Sequence, residues 1–139
     1  MPRIELGRWS EVEAEARRIR FAVFVEEQGV PAELELDERD EPSVHALAFE
    51  ENQAVGTARL LPDGHIGRMA VMKPWRGRGI GAALLRRLID AARERGDREV
   101  LLSAQVHALG FYRAHGFIAH GDVYDEAGIP HQEMRLALR

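Results

Sequence analysis

The chain has no cysteine. That excludes disulfides, thiolate metal ligands and cysteine nucleophiles, and it fits a cytoplasmic location. Long apolar runs are missing too, so no segment is expected to span a membrane. The opening residues, MPRIELGRWSEVE, turn acidic and polar at once and lack the basic-then-apolar layout of a secretory signal. Basic excess is absent: 19 Lys and Arg stand against 23 Asp and Glu, a net charge of -4. A general grip on nucleic acid rests on such an excess, so nucleic acid is not an expected partner. No repeat, linker or low-complexity tract breaks the 139 residues, a length that suits one domain, 1–139, around one core. His45, His65, His115 and His120 show no spacing that suggests a metal site, and no metal is expected.

What is present is charge in blocks and clear hydrophobic periodicity. Glu26, Glu27, Glu33, Glu35, Asp37, Glu38, Asp40 and Glu41 crowd one segment, against Arg39 alone. Arg76, Arg78, Arg86 and Arg87 crowd another. Ser10 to Glu13 reads as a capping box, with a helix from there to about Val25 and Val12, Ala16, Ile19 and Val23 on its apolar face. Strands are expected over 3–6, 44–50, 54–61, 66–72 and 99–104. A closing hairpin is expected over 117–138. A second helix should run from about Gly79 to Arg95, ended by Gly96, and a short one from His107 to His115. The order is strand, helix, three strands, helix, strand, helix, two strands. It predicts the α/β class, more closely an α+β mixed sheet with helices on its faces.

Within Arg68–Leu85, RMAVMKPWRGRGIGAALL, a strand breaks at Pro74 and three alternate glycines lead into an apolar helix. Free amides at a helix start bind anions, and glycine lets a phosphate approach the backbone. The stretch therefore reads as an anion seat, with Arg76 and Arg78 adding positive charge. A Walker loop would need Lys-Ser or Lys-Thr after its last glycine, where Ala82 stands. The dinucleotide fingerprint would need G-x-G-x-x-G near the start of a parallel fold. A nucleotide-phosphate binder thus fits poorly. The competing structural reading is a tight strand-to-helix turn with solvated arginines.

Arg76-Gly77-Arg78-Gly79-Ile80-Gly81 resembles the Q/R-x-x-G-x-G/A signature of the GNAT acyltransferases. Met69-Ala70-Val71 and Pro74 resemble that superfamily's lead-in. Phe111-Tyr112-Arg113-Ala114-His115-Gly116-Phe117 resembles its F-Y-x-x-x-G-F element at a fitting distance. Val23 to Gln28, Ser103 to His107 and Gly128 to His131 are similar to the ElaA-like and YjcF-like branch. The resemblance implies the GNAT acyl-CoA N-acyltransferase fold: a mostly antiparallel central sheet flanked by helices, with the fourth and fifth strands splayed. It also implies acetyl-CoA as cosubstrate. The pyrophosphate would sit on the backbone of Arg76, Gly77, Arg78, Gly79, Ile80 and Gly81, and the pantetheine arm would pair with Met69, Ala70 and Val71.

The reaction implied is acetyl transfer to a primary amine of a small molecule in a ternary complex. The alternatives are an acetyl-CoA or CoA sensor without turnover, and a protein N-acetyltransferase. By the same resemblance Tyr112 would be the general acid; the competing reading is a packed ring with its hydroxyl bonded to backbone. Glu27, at the end of the first helix, is the candidate base, against a solvated carboxylate. His107 and His131 are the alternatives, each set against a hydrogen-bonded structural histidine. Gln28, His107 and His131 are also the candidate acceptor contacts. Many relatives carry an asparagine near the end of the fifth strand or just after it; Gln105 stands nearby. The acidic segment reads as a solvated loop or as a field that draws a cationic amine to the cleft. A homodimer, common among relatives, would use the exposed part of the last strands.

Overall fold

A computed structural model describes residues 2–138. The chain runs β1 (Arg3–Gly7), α1 (Trp9–Arg20), a π-helix (Phe21–Glu27), α2 (Ala32–Glu35), β2 (Val44–Glu50), β3 (Gln53–Leu60), β4 (Ile66–Val71), a 3₁₀ turn (Lys73–Trp75) and α3 (Ile80–Arg95). It continues through β5 (Glu99–Gln105), a 3₁₀ turn (Val106–Ala108), α4 (Leu109–Arg113), β6 (Ile118–Glu126) and β7 (Ile129–Ala137).

The strands form two antiparallel sheets rather than one continuous sheet, ordered β1-β2-β3-β4 and β5-β7-β6. Among the described residues their backbones join at the start of β4, where His65 bridges Leu101 in parallel and Leu101 N–H donates to Gly64 C=O at 3.0 Å. Beyond that point β4 and β5 part, which is the splay that the resemblance implied. The apolar stripe of α3 (Ile80, Leu84, Leu85, Leu88, Ala92) packs with Ala46, Ala48 and Val55, joined by Val100 and Leu102 of β5. Val12, Ala16, Ile19 and Val23 pack with Leu47, Ala54 and Ala70. Alternate residues of β2 thus point to opposite helices, as a pleated strand requires.

Three expectations need correction. The first helix starts two residues early: its N-cap is Arg8, whose N–H donates to Glu11 at 2.7 Å, so Ser10 and Glu13 do not form the box. The earlier start seats Trp9 against the His45 ring at 4.9 Å and under the Arg20 guanidinium. The same helix does not continue in α form to Val25. It widens into a π-helix whose last bond runs from Gln28 N–H to Val23 C=O. Such widenings re-aim side chains and recur at functional sites.

The acidic segment, finally, is a solvated loop only in part: Glu26, Glu33, Glu38 and Glu41 are exposed, but three of its carboxylates turn inward. Glu35 and Asp40 are buried and bind Arg20, itself buried, while Asp37 and Asp40 bind Arg59. Asp37 also takes a bond from Arg68 at 3.2 Å. These carboxylates hold the fold together, so they supply little outward field for a cationic amine.

This cluster sets an acid limit on stability. Burial lowers the pKa of His45, whose Nε2–H donates to Asp40 C=O at 2.8 Å. The unfolded chain therefore binds this proton more readily, and its stabilisation is complete above the ordinary 6.5 and is lost as pH falls below that. Hydrogen bonds from Arg59 hold the Asp37 carboxyl down at about 2 against an ordinary 3.8; that contribution is lost as pH falls through this lower window. The urea midpoint should be flat from neutral pH down to the histidine window, then fall in two steps. A single step below pH ~4 would remove His45 from this account.

Candidate active site

A cleft of about 1310 Å³ opens where β4 and β5 part. One end is the glycine turn. Gly77 and Gly79 sit at φ 79 and 81, a left-handed backbone that only glycine takes at little cost. Those two residues turn the chain off the 3₁₀ turn and into α3. The first intrahelical bond runs from Ala83 N–H to Gly79 C=O, so the N–H groups of Ile80, Gly81 and Ala82 have no intrahelical acceptor. Among the described residues, the amides of Gly77, Arg78 and Gly79 find none either. The Arg76 N–H differs: it donates to Lys73 C=O at 3.3 Å.

The two arginines of the turn do not present loose charge to it. Arg76 reaches across the cleft to Glu27 through two bonds of 2.6 and 2.7 Å and also donates to Val71 C=O at 2.8 Å. Arg78 lies over the Trp75 ring at 5.0 Å and is not part of the cleft wall. The hydrogen bonds from Arg76 lower the pKa of Glu27, which makes this carboxylate a weaker base than an isolated glutamate.

Met69, Ala70 and Val71 form the floor between the turn and a polar patch. The patch combines elements far apart in sequence. Gln105 at the end of β5 donates through Nε2 to Gln28 Oε1 at 3.1 Å, and its own Oε1 accepts from His107 Nε2 at 2.6 Å. An amide oxygen can only accept, so His107 carries its proton on Nε2. His131 lies opposite Gln105 in the β5/β7 register. It is buried, and its Nδ1–H donates to Ile129 C=O at 2.7 Å, which leaves Nε2 as the acceptor nitrogen of the neutral ring. Tyr124 stacks on that ring and bonds the Ser103 hydroxyl.

Tyr112 comes from α4, with its ring edge-on to Phe111 and Phe117 at 5.0 and 5.9 Å. Its hydroxyl has no hydrogen-bond partner among the described residues, so the packed alternative with a backbone bond is not what the structure holds. Burial raises its pKa above the usual 10, and the phenol stays protonated throughout the physiological range.

The sequence and this geometry meet in a family comparison. The description "Acetyltransferase (GNAT) domain" matches residues 10–138. The chain belongs to the GNAT acetyltransferase family. It is 37% identical over 120 residues to YjcF of Bacillus subtilis (strain 168), called an uncharacterized N-acetyltransferase, covering 84% of this chain and 86% of YjcF. The crystal structure of an acyl-CoA N-acyltransferase from Pseudomonas aeruginosa is similar over 99% of this chain and 100% of that one, with 33% identity and a TM-score of 0.88. The crystal structure of Escherichia coli ElaA is similar over 98% and 99%, with 32% identity and a TM-score of 0.85. This GNAT chain is thus an acyl-CoA-dependent acetyltransferase, and its fold is the GNAT acyl-CoA N-acyltransferase fold. Among the described residues no helix is long and apolar enough to cross a membrane, and no cluster of three His, Asp or Glu is placed to hold a metal ion.

Every candidate residue named from the sequence except Arg78 lines the GNAT cleft. Sequence reasoning missed Ser103, Tyr124, Arg59, Arg68 and the Gln28–Gln105–His107 chain. A signal existed for the two arginines. Each interrupts an apolar strand, and a charge buried there requires partners, which the neighbouring acidic run could supply.

Proposed function

We propose that the protein moves the acetyl group of acetyl-CoA to a primary amine of a small molecule, by direct transfer in a ternary complex. The observation that carries this reading is one continuous cleft. It joins a row of unbonded helix-start amides to a polar patch, and passes a protonated tyrosine on the way. Acetyl-CoA supplies an activated thioester; the rest falls to the protein. The amides of residues 77–82 seat the pyrophosphate. Met69 to Val71 pair with the pantetheine arm in the gap left by β5, and a backbone N–H there polarises the carbonyl. As the N–C bond forms and the C–S bond breaks, a base takes the amine proton and Tyr112 gives one to the departing thiolate.

Among the candidates for the base, the geometry favours His131, whose Nε2 carries no proton in the neutral ring and whose orientation Ile129 fixes. Glu27 instead holds Arg76, and through it the carbonyl of Val71. His131→Gln should lower kcat about a hundredfold while Glu27→Gln lowers it far less. The reverse ranking in a thiol-release assay would return the base to Glu27. The protein itself adds no thiol background to that assay, because it has no cysteine.

Calorimetry with acetyl-CoA, CoA, ATP and NADH tests the cosubstrate. Acetyl-CoA and CoA should bind, and ATP and NADH should not displace them. Gly79→Ala should weaken acetyl-CoA about tenfold, because a left-handed alanine costs about 1–2 kcal/mol and the turn relaxes away from its anion-binding form. Unchanged affinity would move the pyrophosphate elsewhere. Binding without thiol release from any amine would leave a sensor. A homodimer is proposed through the outer strand β6, which exposes Ile118 and Val123.

A further inference from the structure

The cleft end away from the glycine turn, at the start of β4, holds guanidinium groups with donors to spare. Arg39, Arg59 and Arg68 all line it. Its carboxylates are committed: Glu35 to Arg20, Asp37 to Arg59 and Arg68, Asp40 to Arg20 and Arg59. Arg39 closes no side-chain ion pair or hydrogen bond among the described residues. Arg68 donates through Nε and Nη2 and has no partner at Nη1 among the described residues. Arg59 carries the one buried side-chain polar atom left without a partner among the described residues, its Nε. An orphaned, buried N–H is costly, and a native structure keeps one where an acceptor arrives.

The backbone aims these groups. The β3/β4 register slips between Thr57 and Arg59, and Arg68 sits there at φ 48, a strained angle for a side chain of its size. Burial first, then the nearby Arg59 charge, lowers the pKa of Arg68, with Asp37 and Glu35 acting the other way. Another part of the cleft wall has the opposite character: Glu126 lines it, 3.9 Å from His131 Nε2.

The geometry points to an acceptor amine that also carries a carboxylate, an amino acid or close analogue, with the carboxylate on Arg39 and Arg68 and the amine toward His131 and Tyr112. The carboxylate, or a water held by it, satisfies Arg59 Nε. This inference rests on the acetyl-transfer reading above and narrows its acceptor.

The test compares each standard L-amino acid with its carboxamide and with the amine lacking the carboxyl group, by thiol release at saturating acetyl-CoA. The best acid should exceed its carboxamide about tenfold or more in kcat/KM, the worth of a charge-assisted bond. Arg39→Gln should reduce that ratio about tenfold and leave acetyl-CoA affinity unchanged. Equal turnover of acid and carboxamide, or a ratio indifferent to Arg39→Gln, overturns the inference. If nothing in the panel is acetylated, calorimetric titration of the CoA-loaded protein with the same compounds decides. Amino-acid binding that Arg39→Gln abolishes upholds the carboxylate subsite while the transfer reading fails. No binding to any of them overturns the subsite.

Discussion

Tyr112→Phe should lower kcat about a hundredfold and leave both acetyl-CoA affinity and the thermal midpoint unchanged. The separation follows from where the hydroxyl sits. It has no partner among the described residues, so its removal breaks no structural bond there, and the ring contacts with Phe111 and Phe117 survive in phenylalanine. What is lost is the proton. Burial raises the pKa above 10, so the wild-type phenol is fully protonated at neutral pH and poised to give that proton up only as the thiolate forms. The sign has a second consequence: no falling limb assignable to Tyr112 should appear in the rate profile below pH ~10. A loss of only two- or threefold in kcat would mean that the thiolate leaves without help from this residue, through water or unprotonated. A drop in midpoint would mean that the hydroxyl has a structural role.

The elements legible in the sequence were those with local causes. The α3 stripe, the left-handed Gly96 that closes it and the glycine turn each arise within a few residues, and all stand where periodicity and turn chemistry put them. The β-meander was readable for the same reason. What escaped was nonlocal. The Gln28–Gln105 bond spans 77 residues, and nothing in either neighbourhood requires it. Nothing in FAVFVEEQ distinguishes a π-helix from an α-helix. The acidic run misled because a charge block is usually solvated. Its partners Arg20, Arg59 and Arg68 lie 15 to 33 residues away from Glu35, Asp37 and Asp40. Buried arginines inside apolar strands and an unexplained acidic run were two halves of one observation.

That cluster carries the second large effect. Arg20→Met should destabilise the protein by about 3–5 kcal/mol, a large share of the total of about 5–15 that a domain possesses. Arg20 is 1% exposed and binds Glu35 through Nε and Asp40 through two nitrogens at 2.8 and 3.1 Å. Methionine fills much of the space but leaves Glu35, 6% exposed, without its ion-pair partner, and leaves Asp40 dependent on Arg59 alone. Lysine restores the charge but not the fork, which here serves both carboxylates at once, so Arg20→Lys should recover only part of the loss. Asp40 cannot be removed in compensation without taking a partner from Arg59, so the cluster resists piecemeal apolar replacement. The effect should also reach the cleft. Glu35 C=O accepts from both Arg20 Nη2 and Arg68 Nε, at 3.1 and 3.0 Å, so the turn that Arg20 pins is the one that holds Arg68 in place. Urea unfolding and acceptor KM should therefore shift together in Arg20→Met. A midpoint that moves by less than the equivalent of about 1 kcal/mol would show the carboxylates reaching water when the arginine is gone. A KM that stays fixed would separate the fold's ion pairs from the acceptor site.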